Sequence, residues 1–190
     1  MLTVLGEVVQ TAGDARLELV NARIGPGLTL IKGGEGRGKT TLLRRIAATP
    51  GFTVCWSDPA QSPDDQVQAS EWLGAQARRF ANWDAAREQE ALKGFGLEAH
   101  LNKRFFMLSS GTMRKLALVA AHASRADCVL LDLPFAALDG RSRQWLAQRL
   151  ERQAQDPQGC AWLLADYEWP ADMGDQMTAQ AAATVIDLGD

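Results

Sequence analysis

The stretch GGEGRGKT, residues 33–40, limits what this chain can fold into more than any other part of it. It follows the apolar run GLTLIK and precedes TTLLRRIAA, which has helical composition. Gly-x-x-x-x-Gly-Lys-Thr between a strand and a helix is the pattern of a phosphate-binding loop. Gly33, Gly36 and Gly38 let backbone N–H groups curl around phosphate oxygens, and the helix that follows points its positive end at the same anion. The expected nucleotide contacts are Gly33, Gly34, Glu35, Gly36, Arg37, Gly38, Lys39, Thr40 and Thr41. Lys39 would bring a point charge to the outer phosphates, and the Thr40 hydroxyl would ligate Mg²⁺.

The rest of the chain fits an α/β sheet with ligand chemistry at the strand ends. Residues 1–32 alternate apolar and polar positions in LTVLGEVV, ARLELVNARI and GLTLIK, separated by Gly-Asp and Gly-Pro-Gly, which predicts short strands joined by tight turns. GFTVCWS reads as a further strand. Between residues 64 and 100, Val67, Trp72, Leu73, Ala77 and Phe80 recur at three-to-four spacing, so a helical insert is expected over 59–107. A helix in GTMRKLALVAAHASRA, a buried strand in CVLLDL, a helix in GRSRQWLAQRLERQAQ and strands in CAWLLADY and ATVIDLG complete one domain over 1–190.

Twenty basic and 23 acidic residues give a net charge of -3, which argues against a nucleic-acid partner or an anionic membrane surface. No run of about 18 apolar residues occurs, so direct insertion into a bilayer is not expected. The opening MLTVLGEVVQ has no basic leader and reaches Glu7 early, unlike a secretory signal. Cys55, Cys128 and Cys160 lack ligand spacing and sit in or beside apolar runs, which predicts buried, reduced thiols and a reducing, cytoplasmic setting.

The block LSSGTMRKLALVAAHASRADCVLLDLPFAALD, residues 108–139, resembles the signature-to-Walker-B region of ATP-binding cassette (ABC) ATPases. LSSGT stands for the signature, and ALD, ending at Asp139, for the D-loop. The resemblance covers nearly the whole chain, and its compact length is similar to that of the haem-exporter ATPases of cytochrome c maturation. It implies ATP and Mg²⁺ as cofactors, a second cassette as partner and a membrane transporter subunit, hence a place on the cytoplasmic face of a membrane. Ser109, Ser110, Gly111 and Thr112 would then contact the nucleotide held by the opposite cassette. Ser109 and Gly111 at a helix N-terminus form an anion-binding cap, in agreement with that role. Asp132 ends an apolar strand and would join Thr40 at Mg²⁺, with Gln61 as a further candidate metal contact.

The departures from the family pattern fall on turnover. Leu133 takes the position of the family's catalytic glutamate, and a leucine can neither accept a proton nor order water. Tyr167 stands at the position of the family's γ-phosphate-sensing histidine. No Phe, Tyr or Trp occurs in the first 51 residues, where the family stacks a ring on adenine. The expectation is therefore a cassette that binds nucleotide and hydrolyses it poorly. One alternative is an active transport ATPase whose base is Asp166, Glu168 or a partner residue, although both acids read as solvated loop carboxylates. Another is a P-loop phosphotransferase. His100 and His122 read as structural. Trp145 and Trp162 are expected in the core; for Trp72 and Trp83 core packing is the default, and a docking face for a membrane subunit the alternative.

Overall fold

A computed structural model describes residues 2–3, 9–10, 16–17, 23–56, 63–156, 159–168 and 184–189. The candidate Gln61, like Asp58 and Trp169, lies outside the described residues. Strands β1 (Leu2–Thr3), β2 (Val9–Gln10), β3 (Arg16–Leu17) and β4 (Arg23–Ile24) form two antiparallel pairs, β1 with β4 and β2 with β3. Then come β5 (Gly27–Lys32), α1 (Lys39–Ala47), β6 (Val54–Trp56), α2 (Ala69–Arg79) and α3 (Ala85–Phe95). After α4 (Ser110–Ala123), the chain ends with β7 (Cys128–Asp132), α5 (Gly140–Ala154), β8 (Ala161–Asp166) and β9 (Thr184–Asp187).

Five of these strands make a parallel sheet in the order β6-β7-β8-β5-β9. Side chains alternate between the faces of a strand, and here both faces are apolar. Ile31, Cys128, Leu130, Ala161, Leu163 and Ala165 meet Leu42, Leu43 and Ile46 of α1 on one side. Leu28, Leu30, Val129, Leu131, Trp162 and Leu164 face a larger cluster built from α2 to α5 on the other. Two covered faces explain why the central strands read as continuous hydrophobic runs.

Helix ends follow local chemistry. Asp84 caps α3, accepting from the backbone N–H groups of Ala86 and Arg87, and Gly96 ends it in the left-handed region at φ 66°. α4 stops at Ala123, short of the expected Ala126, because Ser124 caps it and Arg125 turns to φ 45°. The helical character expected after residue 64 is present as α2, α3 and two 3₁₀ turns, Glu98–His100 and Phe105–Met107. The segment before the signature is laced to the start of α2: Phe105 N–H donates to the Val67 carbonyl and Ala69 N–H to that of Lys103.

Trp72, Trp83, Trp145 and Trp162 pack. Trp162 is buried, Trp72 sits edge-on to Phe105, and Trp83 stacks on Phe80 while its Nε1 donates to Glu88 at 2.8 Å. His122 lies against Trp145 and is hydrogen-bonded to Glu90. Burial lowers the His122 pKa, as fits a neutral structural imidazole. The cysteines are free thiols; burial pushes Cys55 up to about 11 and Cys128 to about 12. Cys160 departs from expectation in being only partly buried, with Trp162 Nε1 donating to its Sγ.

One contact in this core yields a test. A Cβ placed on Gly94 of α3 would lie 2.2–2.6 Å from the Trp145 indole, which itself packs on Phe95 at 4.5 Å. Gly→Ala in a helix ordinarily gains about 1 kcal/mol, whereas overpacking costs about 1–3 kcal/mol. Gly94→Ala is therefore expected to lower unfolding stability in urea by about 1 kcal/mol. Unchanged or raised stability would show that Trp145 can turn aside.

Candidate functional site

The C-terminal ends of β5, β7 and β8 carry the site. Lys32 pairs in register with Asp166, and Asp132 with Ala165, so the three strands finish at one level. From β5 the chain runs through the glycine loop into α1. Gly36 and Gly38 take φ 75° and 87°, the left-handed values that only glycine adopts at little cost. Gly38 is the N-cap of α1, no side chain caps its first N–H groups, and its first turn holds no acid. An uncapped helix N-terminus at a strand end is an anion site in waiting.

Lys39 folds back across the loop and is buried, at 7% exposure. Its Nζ donates to the carbonyls of Gly33 at 2.5 Å and Gly34 at 2.8 Å. The Tyr167 ring lies over the same ammonium, 4.3 Å from Nζ to the ring centroid. Thr40 Oγ1 donates to Asp132 Oδ2 at 2.6 Å. The two groups expected at Mg²⁺, from residues 92 apart in sequence, thus touch, and both present the hard oxygens that this ion takes. Glu35 is exposed on the loop, and Thr41 is exposed on the first turn of α1.

The residues expected to form the signature, Ser109 to Thr112, open α4. Ser109 is the N-cap, and its Oγ accepts from the Thr112 N–H at 3.2 Å. Ser109 and Ser110 are exposed, so this helix N-terminus is open to solvent. Gly111 lies against the segment after β7: a Cβ there would meet the Ala137 carbonyl oxygen at 2.5 Å.

Sequence reasoning missed how α4 holds that segment. Arg114 Nη1 donates to the carbonyls of Asp132 at 3.1 Å and Leu133 at 2.6 Å. Lys115 pairs with Asp139, which also caps α5 by accepting from the Ser142 N–H at 2.9 Å. The Lys115 ammonium and that N–H hold the Asp139 carboxyl well below the usual carboxylate range. Nothing in the spacing of Arg114 and Lys115 marks partners 18 to 24 residues away. Leu133 itself sits at φ 46°, an unfavourable region for a leucine.

Asp166 corrects another expectation. It ends the strand expected in CAWLLADY, as the last residue of β8, and is partly buried where a solvated carboxylate was expected. Burial raises its pKa against the opposing pull of the Tyr167 N–H and of the Lys39 and Arg143 charges, while Asp132 raises it further. Glu168, by contrast, is exposed as expected. A cavity of about 850 Å³ opens near Gly25, Asp127 and Cys160, which precede β5, β7 and β8. It lies at the opposite end of the sheet from the glycine loop, and neither Lys39, Thr40, Asp132 nor Tyr167 lines it.

No protein-family model matches the chain. The zinc import ATP-binding protein ZnuC of Halorhodospira halophila is 33% identical over 185 residues, covering 86% of this chain and 67% of that protein. The cytochrome c biogenesis ATP-binding export protein CcmA of Salmonella typhi is 33% identical over 155 residues, covering 73% and 75%. The aliphatic sulfonates import ATP-binding protein SsuB 3 of Nocardia farcinica is 34% identical over 157 residues, covering 75% and 62%. Among solved structures, the ATP-binding subunit of an ABC transporter superposes with a TM-score of 0.68 at 20% identity, covering 82% of this chain and 75% of that one. The archaeal ribosome recycling factor aABCE1 gives 0.68 at 23%, covering 87% of this chain and 34% of that one. At these identities the structures speak to the fold alone.

The Gly111 contact gives the test of this arrangement. Because the facing atom is a backbone oxygen, Gly111→Ala is expected to push the 133–139 segment away from α4 and to lower stability by about 1–3 kcal/mol. Amide exchange at Ala136 to Asp139 should quicken. Exchange and stability equal to the parent would show that this contact does not hold the segment.

Proposed function

The chain belongs to the ATP-binding cassette family, and from that premise we propose that it is an ATP- and Mg²⁺-binding subunit whose own hydrolytic site is degenerate. The observation that carries this reading is the junction of Lys39, Thr40 and Asp132 at an uncapped helix N-terminus. In the proposed complex the α1 N–H groups and Lys39 hold the phosphates. Thr40 and Asp132 contribute two oxygens to Mg²⁺, which is commonly bound by one or two protein oxygens plus phosphate and water. Leu133 offers no proton acceptor beside the attacking water, a lack that removes about 10²- to 10⁴-fold of rate.

The outward signature cap favours a face-to-face pairing with a second cassette, in which Ser109 to Thr112 complete the partner's nucleotide site. Paired with itself, the protein is an ATP-gated clamp; paired with a complete cassette, it supplies one half of a working site. The relatives' names describe zinc import, sulfonate import and cytochrome c biogenesis export. A membrane transporter subunit is thus the proposed larger partner, with this chain on the cytoplasmic face. Among the described residues no helix is long and apolar enough to cross a membrane. The choice of cargo belongs to that other subunit.

A second reading keeps hydrolysis and assigns its base to Asp166. The partly buried carboxylate at the end of β8, with its raised pKa and its place beside Lys39 and Asp132, favours it.

Two measurements separate these readings. Calorimetric titration should show Mg²⁺-dependent ATP binding that Lys39→Ala abolishes; equal affinity in the variant would remove the phosphate-loop assignment. Steady-state turnover should be very slow, unaffected by Asp166→Asn, and raised at least about tenfold by Leu133→Glu in a self-associated preparation. Brisk parental turnover that vanishes in Asp166→Asn would establish the second reading instead.

A further inference from the structure

We propose that Tyr167 is a gate on the glycine loop that makes nucleotide affinity depend on the outer phosphates. A lysine ammonium has three N–H donors. Two are engaged by the carbonyls of Gly33 and Gly34, and the Tyr167 ring covers the ammonium at 4.3 Å. A phosphate oxygen that is to reach Lys39 Nζ therefore has to displace the ring or break one of the carbonyl bonds. The ring is the easier to move. It is 49% exposed, whereas the glycine carbonyls belong to the loop between β5 and α1.

Tyr167 is held at this place by its backbone. It follows the last residue of β8, and its N–H donates to Asp166 Oδ1 at 2.8 Å. β8 pairs directly with β5, so the turn after β8 stands beside the glycine loop. The ring swings about its own side-chain bonds while the turn stays fixed. A contact between an ammonium and an aromatic face of this kind is worth about a three- to thirtyfold factor in a binding constant. ATP and ADP have to compete with it. AMP, whose single phosphate need not reach Lys39, does not.

This inference rests on Lys39 being the nucleotide-binding lysine, and the experiment keeps the two apart. Affinities for Mg-ATP and AMP are measured by calorimetry or competition on the purified chain, its Tyr167→Ala and Tyr167→Phe variants, and Lys39→Met. Tyr167→Ala is expected to bind ATP about three to thirty times more tightly with AMP affinity nearly unchanged, and Tyr167→Phe, which keeps the ring face, to match the parent. Tyr167 is the chain's single tyrosine, so biosynthetic 3-fluorotyrosine gives one ¹⁹F resonance. That resonance should shift with saturating Mg-ATP and stay in place with AMP. Unchanged or weaker ATP binding in Tyr167→Ala, equal tightening for AMP, tightening in Tyr167→Phe, or a resonance unmoved by bound ATP would each overturn the gate. Parental ATP binding that survives Lys39→Met would instead overturn the reading on which the gate rests.

Discussion

The register of three parallel strands is the constraint on which this site depends. β5, β8 and β7 lie side by side, with Lys32 opposite Asp166 and Ala165 opposite Asp132. A parallel ladder fixes such levels to one residue, because a slip of one would turn every side chain to the other face. Both faces of the sheet are filled with close-fitting apolar side chains, so the slip is prohibitive. The glycine loop, the Asp132 carboxylate and the turn carrying Tyr167 therefore converge because the core does not allow any other alignment. Chemistry at the strand ends is inherited from packing in the strand middles.

Within that frame, the groups near the phosphate site differ in how firmly they are held. Thr40 and Asp132 are joined directly, and Lys39 is buried under its own loop. The surroundings of Leu133 are equally ordered: its N–H donates to the Ala165 carbonyl and its own carbonyl accepts from Arg114. A left-handed leucine costs about 1 kcal/mol or more, so neighbours and not the side chain impose this backbone. The backbone around Leu133 is thus hydrogen-bonded on both sides.

Much of this was legible in the sequence, and the boundary has a physical cause. The glycine loop, α1 and the apolar strands show themselves through short-range patterns: a motif of eight residues, helical spacing and unbroken hydrophobic runs. The serine cap at 109 and the aspartate ending β7 were equally local. Three features needed the third dimension. Arg114 reaches residues 18 and 19 positions away, Tyr167 covers a lysine more than a hundred residues earlier, and Asp166 is partly buried where a solvated carboxylate was expected. None has a periodic signature, because each depends on which strand lies beside which. For Trp72 and Trp83 the default expectation of packing holds, since the rings lie on Phe105 and Phe80.

The grip of α4 on the segment after β7 has a mechanical meaning. Through Arg114 on two consecutive carbonyls, Lys115 on the cap of α5 and the tight seat of Gly111, the start of one helix, the end of a strand and the start of another helix are bolted together. Such a joint behaves like a crank: a push on any one arm moves the other two. A polypeptide built this way can relay force between whatever seats itself on α4 and whatever bears on α5, with no bond being cleaved in its own interior.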